Sequence, residues 1–143
     1  MKALLLAFCY LFTGVAHAHV GHMHGEPTSQ LRFAQGRVVA RVSWITGPQV
    51  AVESLMRIEW RDENAALIDP VRFDVVLWMP SMDHGSAPTR IERFGDGVYQ
   101  VSNVYFIMGG EWDVHVTLTY PDGTQETQTI SVDLPDHGHH HHH

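Results

Sequence analysis

Alternation of apolar and polar residues, with no three-to-four-residue apolar repeat anywhere, is the feature that most limits what this chain can become. In the run Glu111-Trp112-Asp113-Val114-His115-Val116-Thr117-Leu118, the apolar residues Trp112, Val114, Val116 and Leu118 hold one parity. A strand points successive side chains to opposite faces, so this pattern makes one buried face and one wet face. It leaves His115 on the wet side. The same reading predicts strands over residues 37–45, 50–60, 71–78, 89–94, 98–101, 111–118 and 124–132. Ser54, Met56, Ile58 and Trp60 then share one side, and Phe73, Val75 and Leu77 point inward. Thr46-Gly47-Pro48, Gly95-Asp96-Gly97 and Pro121-Asp122-Gly123 are turn signals. Residues 62–70 read as a connection and 105–108 as a short edge segment. About seven strands with turns every 8–12 residues predict an all-β, Ig-like antiparallel β-sandwich.

The first eighteen residues read as a cleaved signal peptide rather than as part of that fold. Lys2 gives the positive start, residues 3–12 the apolar stretch, and Ala16-His17-Ala18 a small-x-small cleavage site. The apolar run is too short to span a bilayer. Cleavage removes the only cysteine, Cys9, and the only lysine, Lys2, and leaves no membrane span. The remaining chain is expected in the periplasm, without disulfides and without thiolate ligands. Sixteen Asp and Glu against nine Lys and Arg argue against nucleic acid and against anionic membrane surfaces, both of which require a basic face.

Without cysteine, soft-metal chemistry has to come from methionine and histidine. Trp78-Met79-Pro80-Ser81-Met82-Asp83-His84-Gly85 places two thioethers and an imidazole where a strand runs into a turn. Thioether sulfur is soft and neutral and imidazole is borderline, a set that suits copper, above all Cu(I), better than calcium or magnesium. Met108, in Phe106-Ile107-Met108-Gly109-Gly110, is the fourth candidate donor. Met79 has inward parity and is either a ligand or core filler, since methionine commonly fills gaps in cores. Met82 and His84, beyond the strand end, have less reason to be buried. Trp78 and Trp44 are candidate walls, because an indole face attracts a nearby cation.

Both flanks are rich in histidine. His19, His22, Met23 and His24 stand within His19-Val20-Gly21-His22-Met23-His24-Gly25-Glu26-Pro27, a polar stretch without apolar periodicity. The expected organisation is a flexible metal-collecting arm over 19–34, a copper-binding sandwich over 35–134, and a His-rich tail over 135–143. If processing leaves His19 first, its amine and imidazole can chelate one ion together, and Cu(II) suits such an end. The tail is either native or a purification tag, and nothing rests on it.

At Met79-Pro80-Ser81-Met82-Asp83-His84-Gly85 and Phe106-Ile107-Met108-Gly109-Gly110-Glu111-Trp112, the sequence resembles the YtkA-like and FixH-like family of exported β-sandwich domains. The resemblance covers 35–134 and implies copper handling or assembly of copper-containing respiratory enzymes. By position it makes Met79, Met82, His84 and Met108 the copper ligands. The partners it implies are copper ions and a copper exporter, an oxidase or another copper protein. Asp83 stands where the family often has glycine, and a FixH-like protein would keep a membrane anchor that cleavage here removes.

Two functions follow. One is a periplasmic copper-binding protein, a metallochaperone or a sequestering resistance factor. The other is a non-catalytic Ig-like module that docks an oxidase or efflux partner through its Met-rich end. No Ser/His/Asp or Cys/His arrangement points to an enzyme, and no paired carboxylates stand on a recognisable frame.

Overall fold

The computed structural model describes residues 28–136, and these form a two-sheet β-sandwich. The strands are β1 (Thr28–Phe33), β2 (Val38–Thr46), β3 (Glu53–Asp62), β4 (Arg72–Met79), β5 (His84–Gly85), β6 (Arg90–Gly95), β7 (Val98–Tyr105), β8 (Gly110–Thr119) and β9 (Gln125–Leu134). One sheet runs β1-β2-β3-β7-β6 and the other β5-β4-β8-β9. Every strand pair is antiparallel.

The two parities meet in the space between the sheets. Met56, Ile58 and Trp60 from β3, Phe73, Val75 and Leu77 from β4, and Trp112, Val114 and Val116 from β8 are all buried there. Phe33, Trp60, Phe73 and Tyr99 form a tilted aromatic run, with centroids 5.3, 5.1 and 4.9 Å apart. Ser54 is the one buried polar side chain among the described residues, and its Oγ accepts a hydrogen bond from Gln49 N at 3.2 Å.

Two elements differ from the sequence expectation. The sandwich starts at Thr28, inside the stretch expected as a flexible arm over 19–34. Thr-Ser-Gln-Leu-Arg-Phe pairs along β2 from Thr28↔Ser43 to Phe33↔Val38 and buries Leu31 and Phe33. The other is β5, a two-residue strand, and with it the described strands number nine rather than about seven. The expected edge segment over 105–108 reduces to the end of β7 and an isolated bridge between Val50 and Phe106. The expected signal peptide over 1–18, the candidate ligands His19, His22, Met23 and His24, and the tail beyond Asp136 all lie outside the described residues. No helix among the described residues is long and apolar enough to cross a membrane.

At the end of the sandwich away from Met79, side chains tie the loops down. Glu126 on β9 accepts hydrogen bonds from Ala34 N at 2.9 Å and from the Tyr120 hydroxyl, joining the end of β1 to the opposite sheet. Asp69 accepts from both Arg93 Nε (3.1 Å) and Nη2 (2.8 Å), from Gly97 N (2.9 Å) and from Tyr99 Oη (2.8 Å). The Arg93 guanidinium first, then the Gly97 amide and the Tyr99 hydroxyl, hold the Asp69 carboxyl well below the usual carboxylate range. A depressed folded-state pKa contributes stability above the unfolded value of about 4, and loses it as pH falls below that value. Asp69→Asn is therefore expected to lower the urea midpoint at pH 7, with the gap to the parent narrowing as pH falls below about 4. A pH-independent gap would mean that the carboxylate contributes nothing through its charge.

Candidate metal site

The opposite end of the sandwich gathers the candidate donors, and the strand registers show how. Thr28, Thr46, Glu53 and Tyr105 end or begin their strands there in one sheet, and Met79, His84, Gly110 and Leu134 do so in the other. Residues 106–109 carry the chain between the sheets, anchored where Ala51 N donates to Phe106 O at 2.8 Å.

The turn after β4 is shaped by its own sequence. Pro80 sits at the first position of a single 3-10 turn, Pro80–Met82, where its missing N–H is no loss. Asp83 follows in the left-handed region at φ 51°, ψ 40°, with its N–H bonded to Pro80 O at 3.3 Å. Aspartate is among the few non-glycine residues that tolerate this region. Asp83 in place of glycine therefore has a conformational explanation, independent of any ligand role. The chain then reverses, and His84 pairs directly with Met79.

Directly paired residues project to the same face of a sheet. Met79 faces the core at 5% exposure, so His84 faces inward as well, half-buried. Its ring meets the edge of Trp112 with centroids 6.5 Å apart and planes at 87°. Trp112 is fully buried, crosses Phe106 at 5.6 Å, and donates its Nε1 hydrogen to Met108 O at 3.0 Å. Gly110, at φ 122°, closes the group: a Cβ there would lie 2.7 Å from the Met79 methyl carbon. Met79, His84, Trp112, Gly110 and the Met108 carbonyl thus form one contiguous set.

The three candidate methionines divide into two kinds. Met79 is core and packs its methyl against Gly110. Met82 and Met108 are exposed, at 54% and 37%, on the surface of the same end. Among the described residues no group of three or more His, Cys, Asp or Glu is placed to hold a metal ion. The candidate side chains themselves offer thioether sulfur and one imidazole, a set that suits soft metals.

The aromatic wall differs from the sequence expectation. Trp44 is buried against Phe106, 5.9 Å away, within the core. Trp78 has outward parity and covers Gly85, where a Cβ would meet its ring at 3.5 Å. The indole beside His84 is Trp112, which its strand parity assigned only to the core. Nothing in one sequence shows that β5 folds back to bring His84 across β4 to β8. His115 is on the outward parity as read, and its Nδ1 lies 2.8 Å from Thr129 Oγ1.

A family model described as YtkA-like matches residues 42–117. Among curated proteins no sequence match is found. Two solved structures are similar at low sequence identity, and the first of them shares the fold. A DUF4426 family protein from Pseudomonas aeruginosa PAO1 has a TM-score of 0.57 and 9% identity, covering 76% of this chain and 95% of its own. The Lin-41 filamin domain has a TM-score of 0.49 and 12% identity, covering 66% of this chain and 91% of its own.

Proposed function

Because this chain belongs to the YtkA-like family, we propose, from the chemistry of its Met/His end, that it is a periplasmic copper-binding protein. Cu(I) is its cargo, held by Met82, His84 and Met108, with Met79 the wall behind them. His19, His22, Met23 and His24 collect copper ahead of that site, as Cu(II) where the chain end takes part. The role is metallochaperone or copper sequestration, as the family resemblance suggests. The observation that supports the reading is that a half-buried imidazole and two exposed thioethers lie at the same end of the sandwich. Few neutral donors on an accessible rim favour exchange over permanent retention.

Exposure of Val52, Met82, Ile107 and Met108 at this end also favours a second reading, a docking surface for an oxidase or efflux partner. Methionine serves adaptable interfaces as well as metals. Met82→Leu with Met108→Leu separates the two, because leucine keeps volume and apolarity and removes sulfur. The full chain, with the histidines outside 28–136 and Met23 replaced so that the flanks cannot mask a loss, is competed against a colorimetric Cu(I) chelator. Cu(I) affinity is expected to fall more than about 100-fold, beyond the 10–100-fold typical of outer-shell substitutions. Unchanged affinity would leave the docking reading standing and remove the copper one.

A further inference from the structure

Arg93 is the last basic residue before the His-rich tail, so β7, β8, β9 and their loops carry no lysine or arginine. The turn 79–86 carries none either. Carboxylates gather around the Met/His end instead. Asp83 is exposed at the turn, and Asp136 packs on Gly109, where a Cβ would lie 2.7 Å from its Cα. Glu111 and Asp133 are exposed and stand directly opposite each other on the outer face of β8 and β9, with Asp113 two residues along. None of these five joins a salt bridge with a described residue. Like charges directly opposite on neighbouring strands weaken a sheet. They do not form a metal cage, since no such acidic group is placed to hold an ion among the described residues. Beside them Val52, Met82, Ile107 and Met108 leave apolar surface open to water.

Resting on the copper reading above, we infer that this end docks a second copper protein whose own copper-taking residues sit in a small apolar patch rimmed by lysine and arginine. The charge supports this occupant over others. A second copy of this chain would bring the same carboxylates face to face, and an anionic lipid surface would be repelled in the same way. A basic rim is attracted as the partners approach and guides the patches into register. Copper then moves by ligand exchange. A thioether of the partner bonds to Cu(I) as Met82 or Met108 leaves it, the remaining ligands follow in turn, and the metal keeps its oxidation state throughout.

The test uses the full chain loaded with Cu(I) and two synthetic acceptor peptides with the same three-methionine core, one flanked by lysines and one by glutamates. Initial transfer rates are compared. At low salt the Lys-flanked peptide is expected to take copper at least about tenfold faster, within the range of electrostatic steering. The gap should close toward 1 M salt, where charges are screened within about 3 Å. Glu111→Lys with Asp133→Lys, both outside the donor set, should remove most of the difference, because three carboxylates then stand beside two lysines, while chelator competition still gives the parent's Cu(I) affinity. Equal rates for the two peptides in the parent, or a Lys preference of undiminished size in the double variant, would overturn the inference. So would a preference that vanishes in a chain ending at Asp136, because the tail and not the acidic face would then carry it. Failure of the loaded chain to retain Cu(I) against the chelator is a separate result, and it removes the copper reading together with the docking built on it.

Discussion

Trp112→Ala is expected to destabilise the protein by about 3–5 kcal/mol, the usual cost of emptying a buried tryptophan site. The ring is fully buried and in contact with both Phe106 and His84. Phe106, the aromatic neighbour within the core, packs against Trp44 on its other contact, which holds it back from the space. Trp112→Phe separates packing from positioning. It keeps most of the apolar volume and removes the Nε1 hydrogen bond to Met108 O, a loss of about 1 kcal/mol. Urea unfolding should place the two variants far apart. Hydrogen exchange in residues 106–109 should nevertheless rise in Trp112→Phe, because that bond holds the loop to β8. Equal stability of the two variants would mean that the indole is not a packing element.

Gly110→Ala is expected to lose about 1–3 kcal/mol from backbone strain alone, since φ 122° lies in a region that L side chains rarely adopt. A further loss follows from the Met79 methyl carbon, 2.7 Å from the new Cβ, which has to turn away and leave its packed position. Gly123 is the internal control. It has φ 86° with nothing within 4 Å of a built Cβ, so Gly123→Ala reports strain without a clash. A larger loss at Gly110, reduced by adding Met79→Ala, would show that the two residues are coupled. The same loss at both positions would leave Met79 as ordinary core filling with no tie to Gly110.

Most of the sandwich was legible because each inward strand face is consistently apolar. Ser54, Met56, Ile58 and Trp60 on one side of β3, and Met79 inward at the end of β4, follow from alternation alone. What escaped has physical reasons. β1 is short, with only Leu31 and Phe33 buried, and it follows a polar His-rich stretch, so its two apolar residues carried too little signal. β5 has two residues, below any periodicity. At the Met/His end, the motif identified the side chains and the turn, and parity separated Met79 from the exposed Met82. The contact of His84 with Trp112 depends on the non-local pairing of β4 with both β5 and β8, which no local pattern encodes. Gly110 was visible as a glycine, but the methyl it makes room for was not.

The segment after the turn has a second consequence, for self-association. Beyond Met79 and Trp78, no strand among the described residues runs along the outer side of β4, and such an open edge is a template for pairing with another chain. The chain covers it sparingly. Ser86 N donates to Leu77 O at 3.3 Å, Thr89 Oγ1 to Val75 O at 2.7 Å, and Ser86 Oγ reaches across to Tyr105 O at 2.6 Å. Residues 84–89 therefore present an imidazole at one end and shield a row of backbone carbonyls along the rest. Any rearrangement that pulled the turn away from β4 would uncover the Val75 and Leu77 carbonyls and leave β4 open to pairing with another chain.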